Sequence, residues 1–232
     1  MIDRRRALVI GPRVGSLSEL TRSLYMAGVN PKLIARDLRV AVDGGLKVFN
    51  KFWRKIGWKP HFAVGDWDSL GSEKVSHALR GIFHLTLPRN KDRSDLYYAC
   101  RAAMSAGATD LVCLGVTGGR ADHQLATLFD LSEIAHEGGR AFSVLAVDNE
   151  TRYYFISENH PELSIDVVPG QTVSVFALEG EARGVTLQGF KYPLKNAVLQ
   201  PSSHGLSNIA LKTQCSIKVR KGRVVVLVLS GA

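Results

Sequence analysis

The chain has 232 residues, a formal net charge of +9, and hydrophobic and charged fractions of 45% and 22%, the balance of an ordinary globular protein. The length suits two small domains better than one compact one, and no apolar run approaches the ~20 residues of a membrane span. Three cysteines, Cys100, Cys113 and Cys215, are odd in number and match no zinc spacing, and they imply no disulfide framework.

The basic residues are spread along the chain apart from Arg4, Arg5 and Arg6, which read as a solvated leader. No aromatic-interleaved basic motif of the single-strand-binding kind occurs, so no nucleic acid is expected as a partner. The apolar run at residues 7–10 is too short for a signal peptide. It reads as a first buried strand, and the expected location is the cytoplasm, with no membrane attachment.

From there the pattern alternates. The first strand ends in Gly11, and Ser16-Leu17-Ser18-Glu19 forms a capping box opening a helix toward Gly28. A strand over residues 39–42 ends in Asp43-Gly44-Gly45, and Leu46, Phe49, Phe52 and Trp53 follow at helical spacing. A strand at 62–64 ends in Gly65-Asp66-Trp67-Asp68-Ser69. Another is expected at 82–87, after which Ser94 caps a helix running through Ala106. The strand at 111–114 ends in Gly115-Val116-Thr117-Gly118-Gly119-Arg120, Asp122 opens a helix to about His136, and residues 142–147 form a further strand. Such alternation predicts βαβ units and a mostly parallel sheet with flanking helices.

After Asp148 helical periodicity disappears. Short β-branched runs stand between turn residues at 172–177, 184–187, 209–211, 217–219 and 224–229, predicting an antiparallel β-sandwich. The fold class is therefore α/β followed by a β-sandwich, with domains at residues 1–148 and 149–232 and a polar junction over 149–163.

The carboxylates fall in one kind of place. Asp43, the pair Asp66 and Asp68, the pair Asp92 and Asp95, and Asp122 with Arg120 each follow a different predicted strand. In an open parallel sheet the loops after the strands gather at one rim, where ligands bind. A single aspartate there is most often a turn former or helix cap. Several on one rim repel each other unless a cation sits among them, and oxygen ligands without His or Cys point to Mg²⁺. Gly44-Gly45 and Gly118-Gly119 allow close backbone approach and an anion nest, and Arg120 has the fork that suits phosphate oxygens. No GxGxxG, P-loop or protein-kinase signature is present. The residues alone thus describe a Mg²⁺-dependent enzyme acting on a phosphorylated substrate.

The same residues resemble the thiamin pyrophosphokinase family. Asp43-Gly44-Gly45 is similar to its DGG element, Gly65 to Ser69 to GDxDS, Lys91-Asp92-Arg93-Ser94-Asp95 to KDxTD, and Gly118 to His123 to GGRxDH. In the second half, Gly189-Phe190-Lys191-Tyr192-Pro193-Leu194 and Gly205-Leu206-Ser207-Asn208 resemble GxKYPL and GxSN.

The resemblance implies transfer of diphosphate from ATP to the thiamin hydroxyl, with AMP released, by a homodimer. It implies that Asp66, Asp68 and Asp95 hold Mg²⁺. It places Asp43, Gly44, Lys91, Asp92, Gly119, Arg120, Asp122 and His123 around ATP, with Asp92 or Asp95 accepting the hydroxyl proton. Ser207 and Asn208 would meet thiamin or shape its pocket. Two positions depart from the family: Tyr97 and Ile209 stand where a Glu is frequent, and both bear on substrate choice. A related diphosphokinase or nucleotide hydrolase acting on another substrate, and a non-catalytic thiamin- or nucleotide-binding regulator, are the alternatives. Trp67 reads equally as an aromatic wall or as core, and His123 as a phosphate contact or a helix-cap neighbour.

Overall fold

The computed structural model describes residues 5–68 and 78–230, the side chains of residues 53–56 excepted. Arg4, Ser69 and the Trp53 side chain therefore lie outside the described residues. The chain divides into two compact units, Met1–Asp130 with Leu145–Asn149, and Leu131–Val144 with Glu150–Ala232. Among the described residues no helix is long and apolar enough to cross a membrane.

The first unit is a parallel sheet with helices. Its strands β1 (Arg6–Ile10), β2 (Leu38–Val42), β3 (Phe62–Gly65), β4 (Phe83–Thr86) and β5 (Asp110–Leu114) pair in the order β5-β1-β2-β3-β4, every pairing parallel. Helices α1 (Leu17–Met26), α2 (Gly45–Ile56), α3 (Asp95–Ser105) and α4 (Ala121–Gly138) follow β1, β2, β4 and β5. Strand β6 (Ser143–Val147) lies beyond β5. The topology reverses between β1 and β5, and such a switch point opens a ligand crevice at the carboxyl ends of the strands.

Local chemistry explains these elements. At α1 the box predicted from sequence is closed in both directions: Glu19 N–H donates to Ser16 Oγ at 3.1 Å and Ser16 N–H to Glu19 Oε2 at 3.2 Å. Leu20 and Leu24 on one face of α1 and Leu46 and Phe49 on α2 pack with Leu8, Ile10, Leu114 and Ile34 into one core cluster. Each such side chain contributes about 1.5–3 kcal/mol on burial, which holds the strand ends in place. Arg6 is not part of a solvated leader. It starts β1 and forks onto the buried Asp37 through Nε–Oδ1 at 3.1 Å and Nη2–Oδ2 at 2.9 Å, because a bidentate guanidinium satisfies a carboxylate that water cannot reach.

At the switch point the loops after β1 and β5 are bonded to each other. Gly11 N–H donates to Leu114 O at 2.9 Å and Arg13 N–H to Gly115 O at 3.0 Å. A Cβ at Gly11 would fall 2.5 Å from Gly115 O, so only glycine permits this approach.

The second unit holds two antiparallel sheets. In one, β12 (Asn208–Ile209), β9 (Thr172–Ala177), β14 (Arg223–Leu229) and β7 (Thr151–Ser157) are neighbours in that order. In the other the order is β11 (Leu194–Leu199), β10 (Ala182–Gln188), β13 (Gln214–Lys218) and β8 (Glu162–Asp166). Val173, Val175, Val224 and Val226 of the first pack with Ile165, Val185, Leu187 and Ile217 of the second, the interior of a sandwich.

The polar junction expected over residues 149–163 is instead structured. β7 pairs with β14 along its whole length, from Thr151 opposite Leu229 to Ser157 opposite Arg223. Its aromatic and β-branched residues favour a pleated strand. The polar Glu158-Asn159 turn that follows gives the stretch its loop-like composition. Strand β11 is not signalled by the sequence either; it is a sheet edge with half of its residues exposed.

Candidate active site

The rim of the first unit's sheet carries the predicted aspartates. Asp43 follows β2 in a left-handed turn, φ 43°, with its N–H bonded to Val64 O at 2.8 Å. Two glycines make room for that turn. A Cβ at Gly45 would lie 1.9 Å from Ile10 O, and one at Gly65 would lie 2.9 Å from Asp43 Cα. Positive φ at a non-glycine residue costs about 1–3 kcal/mol and persists where surrounding structure imposes it.

After β3 the chain turns through Asp66, Trp67 and Asp68. Trp67 is also left-handed, φ 62°, and buried, and its Nε1–H donates to Thr86 Oγ1 at 2.9 Å. The ring anchors the turn to β4 and does not serve as a wall of the cavity, while the neighbouring aspartates face the rim. Asp68 N–H caps Asp66 Oδ1 at 3.2 Å. Carboxylate oxygens of Asp43, Asp66 and Asp68 come within 4.8 Å of one another.

Lys91 enters this cluster from the loop before α3. Its Nζ lies 2.7 Å from Asp66 Oδ2 and 3.2 Å from Asp95 Oδ1. The latter is a charge contact without hydrogen-bond alignment, and Asp95 Oδ1, like Asp43 Oδ1, is buried with no hydrogen-bond partner. Burial pushes the Asp66 carboxyl up, but the Lys91 ammonium, the Asp68 N–H and the Arg89 charge outweigh it and hold it below its ordinary value. For Lys91, burial works downward and the contacts with Asp66 and Asp95 prevail, raising its pKa. Asp95 is raised: burial dominates, Lys91 opposes, and the charges of Asp66 and Asp43 reinforce it.

Ser94 caps α3 and also bonds the buried Asp130 through Oγ. This pairing fixes the start of α3 against α4, and with it Asp95. Opposite, Gly118 and Gly119 have φ of 86° and 77° before α4 begins. Arg120 and Asp122 pair with each other, Nε–Oδ1 at 3.1 Å and Nη2–Oδ2 at 2.6 Å, both well exposed. The Arg120 guanidinium beside Asp122 holds its carboxyl at about 2. His123 is exposed, and its N–H donates to Asp122 Oδ1 at 2.9 Å.

These loops enclose a cavity of about 680 Å³, lined among others by Arg13, Asp43, Asp66, Asp68, Lys91, Asp95, Gly118, Asp122 and His123. That size is typical of small-molecule sites. Gly44, Asp92, Gly119 and Arg120 are beside these residues in sequence but do not line the cavity. Asp92 is exposed. Sequence reasoning missed Arg13, Asp130 and the grouping of Asp43 with Asp66 and Asp68. Arg13 follows a strand as the aspartates do, and that was its available signal.

In the second unit, Ser207 sits in a left-handed turn, φ 57°, with its N–H bonded to Ser174 Oγ at 3.0 Å and its side chain exposed. Asn208 is buried and fully engaged. Its Oδ1 accepts from the Tyr192 and Ile209 N–H groups at 3.0 and 2.9 Å, and its Nδ2 donates to Tyr192 O at 2.7 Å. It therefore ties the Lys191-Tyr192 segment to the Ser207 turn, with Tyr192 59% exposed beside it.

The donor set fits a hard divalent cation. Three carboxylates converge without a sulfur or imidazole ligand, and a buried Asp43 oxygen is without a partner.

Comparison with known proteins identifies the family. Residues 31–142 match the family model described as thiamin pyrophosphokinase, catalytic domain, and residues 160–224 match thiamin pyrophosphokinase, vitamin B1 binding domain. A thiamine pyrophosphokinase of Bacillus subtilis (strain 168) is 24% identical over 176 residues, covering 72% of this chain and 78% of its own. Two solved structures share the fold. One is a thiamine pyrophosphokinase from Bacillus subtilis, with TM-score 0.75 and 21% identity over 98% of this chain and 100% of that one. The other is a thiamin pyrophosphokinase from Candida albicans, with TM-score 0.73 and 14% identity over 98% of this chain and 90% of that one. The two matched spans take up most of the sequence, and the chain belongs to the thiamin pyrophosphokinase family, enzymes that transfer diphosphate from ATP to thiamin.

Proposed function

We propose that the cavity of the first unit is where ATP is held and its diphosphate passed to thiamin. The carrying observation is the convergence of Asp43, Asp66 and Asp68 beside Lys91 in a cavity whose far wall is a glycine turn. Asp43, Asp66 and Asp68 would hold Mg²⁺, with Asp95 adjacent. Bound there, the ion neutralises charge on the phosphate oxygens.

The protein's own groups do the rest. Lys91 and the backbone N–H of Gly118 orient the polyphosphate, and the N-terminus of α4 adds its dipole. The thiamin hydroxyl oxygen attacks the β-phosphorus, the bond from that phosphorus to the oxygen bridging the α-phosphate breaks, and AMP leaves with the electron pair. Of the two carboxylates considered for the hydroxyl proton, Asp95 suits the role better. It lines the cavity and burial makes it the stronger base, whereas Asp92 is exposed and outside the lining. Arg120 reaches phosphate by leaving Asp122.

In this reading residues 1–148 form the ATP- and Mg²⁺-binding domain and residues 149–232 the thiamin-binding domain, with Ser207 and the exposed Tyr192 at the acceptor site and Asn208 shaping it. The working form is a homodimer. Incubation with ATP, Mg²⁺ and thiamin tests the activity: thiamin diphosphate and AMP should form in equal amounts, and ADP should not. Light scattering tests the dimer. Formation of ADP, or AMP release that does not depend on thiamin, would sink the assignment.

A further inference from the structure

The loop after β1 brings to the cavity a cation that none of the motifs contains. Arg13 lines the cavity together with Asp43, Asp66, Lys91 and Gly118. Its backbone is fixed by the Arg13 N–H to Gly115 O bond at 3.0 Å, so the residue is delivered across the switch point to the turn that follows β5.

Its side chain lies over the glycine turn. A Cβ built on Gly119 would fall 2.1 Å from Arg13 Cζ and 2.2 and 2.3 Å from its two terminal nitrogens. Three nearly equal distances mean that the guanidinium lies flat over the place a side chain would occupy. Any residue but glycine at 119 would expel it, apart from the strain of φ 77°.

The charge of Arg13 is also unanswered. Among the described residues its guanidinium forms no ion pair. Arg120, in contrast, is forked onto Asp122, and Lys91 is held between Asp66 and Asp95. Of these three cations at the site, Arg13 alone presents its donors to a ligand without first breaking a bond. A planar guanidinium with free N–H groups, exposed beside an N–H-rich glycine turn, suits bidentate recognition of phosphate oxygens.

We propose that Arg13 is a phosphate-binding residue of this site, engaging the nucleotide's polyphosphate from the β1 loop, and that Gly119 is required chiefly to seat it. The proposal rests on the cavity being the ATP site.

The test is calorimetric titration of a non-hydrolysable ATP analogue with Mg²⁺, and separately of thiamin, against wild type, Arg13→Gln, Arg13→Lys, Gly119→Ala and the Arg13→Gln/Gly119→Ala double variant. Arg13→Gln should weaken the analogue about tenfold or more, the range of a lost charge-assisted hydrogen bond, and leave thiamin affinity unchanged. Arg13→Lys should recover only part of the loss. Gly119→Ala should cost a similar factor, and the double variant should be little worse than either single one. The proposal is overturned if Arg13→Gln binds the analogue as wild type does, if thiamin weakens equally, or if the Arg13 and Gly119 losses multiply. Should Gly119→Ala not fold, the Gln and Lys variants at position 13 decide alone. Asp66→Asn and Asp68→Asn serve as reference. If they too leave Mg²⁺-dependent analogue binding intact, the cavity is not the ATP site. If they impair it and Arg13→Gln does not, only the role of Arg13 falls.

Discussion

The Lys91 ammonium lies 2.7 Å from Asp66 Oδ2, so one oxygen of the acidic cluster is already answered by a fixed positive charge. An arriving divalent cation and Lys91 therefore compete for Asp66. Lys91→Met should tighten Mn²⁺ binding in the absence of nucleotide while weakening ATP binding and lowering kcat by roughly 10²-fold. Mn²⁺ titration followed by electron paramagnetic resonance reads the first effect. Weaker Mn²⁺ binding in the variant would mean that Lys91 orients Asp66 and does not compete for it.

Activity should disappear in EDTA and return with Mg²⁺. Asp68→Asn should reduce kcat by roughly 10²-fold or more, with the unfolding midpoint near wild type because Asp68 is exposed. Full turnover in chelator would remove the metal from the scheme.

The pH dependence separates two carboxylates. Asp122, held at about 2 by Arg120, stays ionised throughout the working range, and its pairing is lost only as pH falls through about 2. Asp95 is shifted upward by burial, so it gains its proton, and stops accepting one, at a pH above the ordinary aspartate range. The acid limb of kcat should therefore lie above that range, and Asp122→Asn should leave its midpoint in place. If Asp122→Asn moves the limb, the acceptor is not Asp95.

Arg120→Lys keeps the charge but loses the two-pronged contact, and should be markedly impaired in kcat/KM for ATP. Steady-state kinetics equal to wild type would make Arg120 a general positive charge.

In the second unit, Ser207→Ala and Asn208→Ala should differ in kind. Ser207→Ala should weaken thiamin several-fold with ATP affinity and thermal midpoint nearly unchanged. Asn208→Ala removes a buried amide that bonds the Tyr192 N–H, the Ile209 N–H and the Tyr192 carbonyl, and should cost about 1–3 kcal/mol of stability. Thermal unfolding distinguishes the two. A stable Asn208→Ala would show that the Tyr192 segment is held by other contacts.

Much of this site was legible because strand ends are legible. Alternation of apolar strands and capped helices places Asp43, Asp66, Asp95 and Asp122 on one rim. What escaped depends on distance in the chain. Ser94 and Asp130 are 36 residues apart and meet only when α3 and α4 pack, and nothing in either helix signals the other. Arg13 looked like a loop residue because its seat, Gly119, lies on a different loop. The three backbone bonds of the Asn208 amide are likewise beyond what composition can reveal. β7 was hidden by the polar turn that follows it.

The bonds joining Gly11 to Leu114 and Arg13 to Gly115 make the two loops at the switch point one rigid lip. A ligand entering there meets a wall already in shape, so little ordering entropy opposes its binding. The same bonding constrains how the sequence can drift. An insertion between β5 and α4 would displace the loop after β1 as well, and a side chain at residue 11 would push against residue 115. Change on one side of the crevice is tolerated only with compensation on the other, and lengthening either loop alone is the poorest route to a new substrate.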